Sequence, residues 1–232
     1  MQIPRAPHSW SVTPQQAIII QKKLASAVIR QCAGNLQLRL VAGVDAAFSA
    51  DGAHCLAGVV LWDVEKQAVI EQRLASRRLV FPYIPGLLTF REAPAMLAAL
   101  RKLRQAPDVL MCDGQGIAHP RRLGIASHLG LLAGLPAIGC AKSRLIGSHG
   151  EPDRQKGSIT PLIDHGERLG SVVRTRDGVR PVFVSIGHLI DLPAAEQLVL
   201  ACAVRFRLPE PTRLADQLAG AAKRLGLAAA SV

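Results

Sequence analysis

The chain has 232 residues, 49% of them hydrophobic, and its 28 Lys and Arg against 17 Asp and Glu give a net charge of +11. That length suits one large domain or two small ones, with enough apolar residues for a sizeable core. It has no charged-then-apolar leader and no apolar run of about 18 residues, so neither secretion nor a membrane span is indicated.

Met1 to Ser11 reads as a tail, with Trp10 anchoring it to the domain. Thr13-Pro14-Gln15-Gln16 predicts a helix start, with Thr at the N-cap, Pro at the first helical position and Gln at the third. Ile20, Leu24, Ala27 and Val28 continue at helical spacing, and the helix is expected to end near Gly34-Asn35. Three strands follow: Leu38 to Phe48, Cys55 to Asp63 after the Asp51-Gly52 turn, and Val69 to Val80. The short polar turns between them predict an antiparallel meander. Phe81-Pro82-Tyr83-Ile84-Pro85-Gly86 is a rigid loop, because two prolines fix φ and remove two donors.

Ala93 to Leu103 has helical spacing, and Asp108 to Asp113 is a short buried strand ending in a carboxylate. The glycine-rich loop Gly114 to Pro120 leads to a helix running to about Ala133. A strand at Ala137 to Cys140 then ends at Lys142. Residues 157–185 look β-rich. Asp191 caps a helix whose apolar residues include Ala195, Leu198, Val199, Cys202 and Phe206. Pro209-Glu210-Pro211-Thr212 breaks it, and a last helix runs from Arg213 to about Leu225. With no repeat, no low-complexity linker and no domain boundary, residues 1–232 read as a single domain. A meander followed by strand–helix crossovers makes a mixed α/β sheet, in which neighbouring parallel strand ends can share a site.

The five cysteines, Cys32, Cys55, Cys112, Cys140 and Cys202, contain no C-x-x-C pair. They are read as reduced and buried in a cytoplasmic protein without structural zinc. The pI near 10.2 is the electrostatic footprint of a nucleic-acid binder, although a solvated basic surface alone also gives it. The basic residues come in scattered pairs such as Arg77-Arg78, Arg121-Arg122 and Lys223-Arg224, which suits a folded surface.

Asp45 is the one carboxylate in the apolar run Val41 to Phe48. A strand carboxylate usually holds a metal, a salt bridge or a hydrogen-bonded turn. If its strand neighbours the one ending at Asp113, the two carboxylates repel, and a proton or a bridging cation must relieve them. A hard cation with oxygen ligands, such as Mg2+, suits that role. Thr89-Phe90-Arg91-Glu92 fits a capping box, and spacing favours that reading of Glu92. It would put Pro94 inside the helix, which is unfavourable; a start at Pro94 would free Glu92 to face a metal. Asp216 lies about 200° round the last helix from Leu214, off the stripe of Leu214, Leu218, Ala221 and Leu225. It is either solvated or a fourth acid facing the site. His119, close beyond Asp113 and followed by Arg121-Arg122, is a better functional candidate than His188, which is placed in a loop after Gly187. Lys142, with Ser143 and Arg144, either contacts phosphate or is simply solvated. Tyr83, the chain's single tyrosine, either packs on the core or stands out as a wedge for bases.

Taken together, Gly43-Val44-Asp45, the block Pro82-Tyr83-Ile84-Pro85-Gly86-Leu87-Leu88-Thr89-Phe90-Arg91-Glu92, the block Asp113-Gly114-Gln115-Gly116-Ile117-Ala118-His119-Pro120-Arg121, then Gly139 to Ser143, then Leu208 to Arg213 resemble endonuclease V over nearly the whole chain. The resemblance implies a ribonuclease H-like fold and a Mg2+-dependent nuclease, Mn2+ substituting. Its substrate would be DNA containing deoxyinosine, cut at the second phosphodiester on the 3′ side to leave a 3′-hydroxyl and a 5′-phosphate. By motif, Asp45, Glu92 and Asp113 would be the acidic cluster with Asp216 as its last member, which overturns the capping preference for Glu92. Lys142 would act at the phosphate. Pro82, Tyr83, Ile84, Pro85, Gly86 and Leu88 would meet the lesion, with Gly114, Gln115, Gly116, His119, Arg121 and Ser143 beside the nucleic acid. Backbone amides of the two loops would read the base. Single-stranded DNA or inosine-containing RNA are alternative substrates, a non-catalytic nucleic-acid-binding protein is the rival of another class, and a monomer is expected. Ile186 stands where the family commonly has Pro.

Overall fold

The computed structural model describes residues 1–32 and 38–226. Its strands are β1 Leu40–Phe48, β2 His54–Asp63, β3 Ala68–Arg78, β4 Val109–Cys112, β5 Ala137–Ala141, β6 Ile159–Asp164, β7 Glu167–Val173 and β8 Val182–His188. The helices are α1 Pro14–Ala25, α2 Leu88–Arg101, α3 Ile125–Ala133, α4 Leu192–Cys202 and α5 Glu210–Arg224. All eight strands form one mixed sheet in the order β3-β2-β1-β4-β5-β8-β7-β6. The expected antiparallel meander is β1–β2–β3. The strands β4 and β5 run parallel to β1, and β8 returns antiparallel beside β5.

Alternation along the central strands divides the core in two. Ala42, Val44, Leu110 and Cys112 face α2 and α3 through Met96, Leu100 and Leu129. Val41, Val109, Met111 and Val184 face α4 through Leu198, Val199 and Cys202. Asp45 continues the second series, two residues beyond Gly43 and four beyond Val41.

On that second face α5 lies directly on the sheet. Its buried residues are Glu210, Pro211, Thr212, Ala215, Ala219 and Ala222, not the expected leucine stripe; Leu225 is exposed. The strands explain the choice. A Cβ on Gly43 would sit 2.0 Å from the Pro211 carbonyl oxygen, and one on Gly58 would sit 2.7 Å from that of Ala215. Two glycines let the helix backbone touch the strand backbone, and only small helix residues fit beneath it. Asp45 pairs with Gly58 across β1 and β2, so the carboxylate lies at the foot of this helix.

Several boundaries differ from expectation. The capping box of Thr13 and Gln16 is present, but α1 stops at Ala25, where Ser26 Oγ donates to the Lys23 carbonyl (3.0 Å). The expected end at Gly34-Asn35 lies outside the described residues. The helix α2 starts at Leu88 rather than Ala93, so Pro94 does lie inside it and Thr89 caps nothing. Burial of Leu87 and Phe90 against Phe81 and Ala17 outweighs the donor that Pro94 fails to supply. The helix α4 ends at Cys202, short of Phe206. Residues 185–188 are not a loop but the end of β8, with Ile186 paired to Ile138 and His188 buried. The first residues, read as a tail, lie against the core. Ile3 is buried, the Met1 ammonium donates to the Leu103 carbonyl (2.5 Å), and the His8 and Trp10 rings pack against Phe90 and His128.

Gly43→Ala is expected to destabilise the fold by about 1–3 kcal/mol, the cost of overpacking a tight contact. Gly150→Ala, where nothing lies within 4 Å, is the control and should leave the urea midpoint unchanged.

Candidate active site

The register of the parallel strands builds the site. Val44 pairs with Cys112, so Asp45, still within β1, lies beside Asp113, the first residue past the end of β4. The Asp113 amide donates to the Val44 carbonyl (3.2 Å) and closes the ladder there. From above, α5 adds Asp216. Asp45, Asp113 and Asp216 each offer a carboxylate oxygen within 4.8 Å of the others, the group of this kind found among the described residues. Asp216, which periodicity placed off the expected stripe, is brought in because Ala215 and Ala219 rather than leucines face the sheet. Glu92 stands outside this triad, since it comes from α2 on the opposite face, but it lines the same cleft.

These groups are crowded and short of countercharge. Burial pushes the Asp45 carboxyl up to about 8, helped by the neighbouring Asp113 charge and a carboxyl–carboxyl hydrogen bond with Asp216. Burial likewise raises Glu92 to about 8, with Arg91 opposing and Asp113 adding. Asp113 is raised by burial and partly relieved by Lys142. Lys142 Nζ lies 2.5 Å from Asp113 Oδ2 and 3.5 Å from Asp216 Oδ1. Burial lowers the Lys142 pKa, but Asp113, Asp216 and Asp45 together outweigh it and the net shift is upward. One ammonium cannot balance four carboxyl groups, so the donor set fits a hard divalent cation with oxygen ligands.

Above the carboxylates opens a cleft of about 440 Å3, lined by Asp45, Glu92, Asp113 and Lys142 on its floor side and by Tyr83, Ile84, Pro85, Gly86 and Leu88 opposite. Gly114, Gln115, His119 and Ser143 also line it; Pro82, Gly116 and Arg121 do not. Tyr83 is 68% exposed, so it stands out rather than packing on the core. The Gly86 carbonyl receives three donors: His119 Nε2 at 3.0 Å, Arg121 Nη2 at 2.6 Å and Gln21 Nε2 at 3.0 Å. His119 Nδ1 accepts from the Arg121 amide (3.2 Å), which leaves the Nε2 proton for Gly86. Burial, then the Arg121 charge, lowers His119 to about 4. It is therefore a neutral, buried tie between two loops rather than a phosphate-binding cation.

Gln21 is a component that sequence reasoning missed. It is fully buried on α1 and also accepts from Arg121 Nε (2.5 Å). A glutamine four residues after the buried Ala17 is the signal that could have marked it. The glycines of the Gly114–Gly116 loop serve packing. A Cβ on Gly116 would lie 2.0 Å from the Ile186 carbonyl oxygen. Their amides are engaged, Gly114 with the Cys112 carbonyl (2.9 Å) and Gly116 with Ser185 Oγ (2.9 Å), so neither is free to read a base. Gln115 Nε2 donates to the Ser143 carbonyl (3.0 Å) and joins this loop to the segment after β5.

With the geometry in view, the chain was compared with known proteins. The Endonuclease V family model matches residues 22–217. An Endonuclease V of Trichormus variabilis is 54% identical over 213 residues, covering 92% of this chain and 96% of that protein. The crystal structure of Endonuclease V from Streptomyces avermitilis superposes with a TM-score of 0.90 at 40% identity, covering 95% of this chain and 97% of that one. A Ciona intestinalis Endonuclease V, crystallised with a 24mer DNA containing an inosine followed by a ribo-adenosine, gives 0.81 at 26% identity, covering 91% and 98%.

The raised carboxyls set a pH dependence. Asp45 and Glu92 hold protons more tightly folded than unfolded, so their contribution to stability is complete below about pH 4 and is lost as pH rises through about 8. A divalent cation competes with those protons. It should therefore stabilise the fold by up to ~3 kcal/mol at a hundredfold excess over Kd, and raise the melting temperature more at about pH 8 than at about pH 6. Asp45→Asn should flatten both effects. A melting temperature indifferent to divalent cations at the higher pH would contradict the site.

Proposed function

Because this chain belongs to the endonuclease V family of metal-dependent, DNA-cleaving hydrolases, we propose that it is a Mg2+-dependent endonuclease of DNA containing deoxyinosine. It cuts the second phosphodiester on the 3′ side and leaves a 3′-hydroxyl and a 5′-phosphate. The observation that carries the reading is the single cleft that joins the carboxylates and Lys142 to the Tyr83–Gly86 loop. Chemistry and lesion recognition thus share one space. The reading includes a cytoplasmic monomer, and Mn2+ substitutes for Mg2+. No helix among the described residues is long and apolar enough to cross a membrane.

Asp45, Asp113 and Asp216 would hold the cation, with Glu92 reaching it directly or through water. Bound there, Mg2+ would neutralise the phosphate and lower the pKa of the attacking water. Lys142 Nζ, resting on Asp113 and Asp216, turns to the phosphate oxygen as negative charge gathers. The cleft walls of Ile84, Pro85 and Leu88 exclude solvent from the flipped base. Hypoxanthine pairs weakly, so extruding it costs less than extruding a normal base. Tyr83 fills the gap that is left in the duplex. The ties to the Gly86 carbonyl keep the Tyr83 loop at fixed distance from the carboxylates, which sets where the cut falls relative to the lesion.

Inosine-containing RNA is the second reading. The ribo-adenosine after inosine in the Ciona intestinalis complex supports a site that accepts a ribose at that position. Nicking of matched deoxyinosine and inosine oligonucleotides separates the two readings.

Asp45→Ala or Asp113→Ala is expected to reduce Mg2+-dependent nicking at least a thousandfold, on the order of what a metal-supported hydrolysis loses with its cation. Their circular dichroism should remain that of the wild type. Full activity in either variant sinks the assignment, as does wild-type nicking in excess chelator. Tyr83→Ala should weaken binding of lesion DNA about tenfold while single-turnover chemistry on bound substrate changes less. The reverse pattern would remove the wedge.

A further inference from the structure

Phe206 belongs to no part of this site. Its place on a buried helical stripe is not realised, because α4 stops at Cys202 and the ring stands 46% exposed. The ring is nevertheless braced. The Arg213 guanidinium carbon lies 4.4 Å from its centroid, and Arg213 is held by Glu210, with Nε 3.0 Å from Oε2. One face of the ring is thus backed by a neutralised guanidinium and the other is open. Beside it is a shallow cavity of about 370 Å3 whose lining includes Lys156, Arg176 and Arg205 against one carboxylate, Asp177. Asp177 is occupied by the Lys156 amide (2.6 Å), and Lys156 Nζ by the Ala203 carbonyl (2.8 Å). Arg176 and Arg205 are both exposed.

The position of this rim in the fold decides its use. Ala141 pairs with Phe183, and Val173 with Val182. The end of β7 and the start of β8 therefore lie at the same end of the sheet as Lys142. Arg207, next to Phe206, donates to the carbonyls of Lys142 (2.6 Å) and Pro181 (2.8 Å). The rim is thereby fixed to the catalytic floor on the β8–β7 side. Tyr83 lies in the loop that leads into α2, on the first face of the sheet, and Phe206 in the one that leads into α5, on the second. The two therefore flank the carboxylates from different sides.

We propose that this rim is a second nucleic-acid contact. The strand leaving the carboxylates away from Tyr83 stacks a base on the open face of Phe206 and sets its phosphates against Arg205 and Arg176. An aromatic platform beside cations binds single strands with little sequence preference. The inference rests on the proposed nicking reaction, in which this strand is the flank 3′ to the cut.

The test is fluorescence anisotropy in chelator, using the full chain and labelled deoxyinosine single strands with either a long 3′ flank or one trimmed to the nucleotide after the cut. The wild type is expected to bind the long flank about tenfold tighter. Phe206→Ala should lose that preference and Phe206→Trp should keep it. Arg205→Ala should reduce the salt slope on the long flank by about one unit. Retention of the full preference by Phe206→Ala, or its absence in the wild type, overturns the proposal. Wild-type nicking of the long-flank oligonucleotide in Mg2+ tests the underlying reaction separately, and its absence overturns that reaction whatever the anisotropy shows.

Discussion

The rest of the site depends on one close approach, α5 lying backbone to backbone on β1 and β2 at Gly43 and Gly58. Larger side chains in place of Ala215 and Ala219, or any Cβ on those glycines, would hold the helix off the sheet. At the spacing allowed, Asp216 meets Asp45 and Asp113. Helix packing, ordinarily a matter of apolar burial, here sets distances between charges. The helix keeps its larger residues, Leu214 and Leu218, at the sides of the contact, where they are half-buried.

The resulting crowding is costly. Burial, reinforced by the Asp113 charge, drives Asp45 and Glu92 up to about 8. A fold tolerates such a cost where a bound ion or substrate relieves it, and perturbed carboxyls at parallel strand ends in an open cleft mark a functional site. The ammonium of Lys142 is the partial remedy already built in. It is 43% exposed, so it is not sealed into the carboxylate cluster.

Around this charged centre the loops are held by polar ties as well as by the apolar packing of Phe81 and Ile84. The Gly86 carbonyl gathers Gln21, His119 and Arg121 from two distant parts of the chain. A side chain at Gly86 would strike Arg121 Nη2 at 2.8 Å, and its φ of +77° is a second reason for glycine. Ile186, where proline is common in the family, continues β8 and lends its carbonyl to the Ile117 amide (2.8 Å). The strand there needs no proline, since the glycine-rich loop is already fixed against it at Gly116.

Local pattern determined the meander, the capped start of α1 and the order of strands and helices. Each depends on residues near in sequence or on period-two alternation. The P-Y-I-P-G and D-G-Q-G blocks, through their resemblance, added Glu92 and the loop of Tyr83. Only the tertiary structure decided the rest. The capping pattern at Thr89 yielded to the burial of Leu87 and Phe90, which drew α2 five residues forward and left Pro94 inside it. Phe206 left its helical stripe, and Gln21 joined a loop some 65 residues away in sequence. Asp216 reached the acidic cluster because two glycines on other strands selected an alanine face over a leucine one. Helical periodicity records which residues share a face. It does not record how closely the opposing surface allows that face to approach, and that distance is what places the third carboxylate.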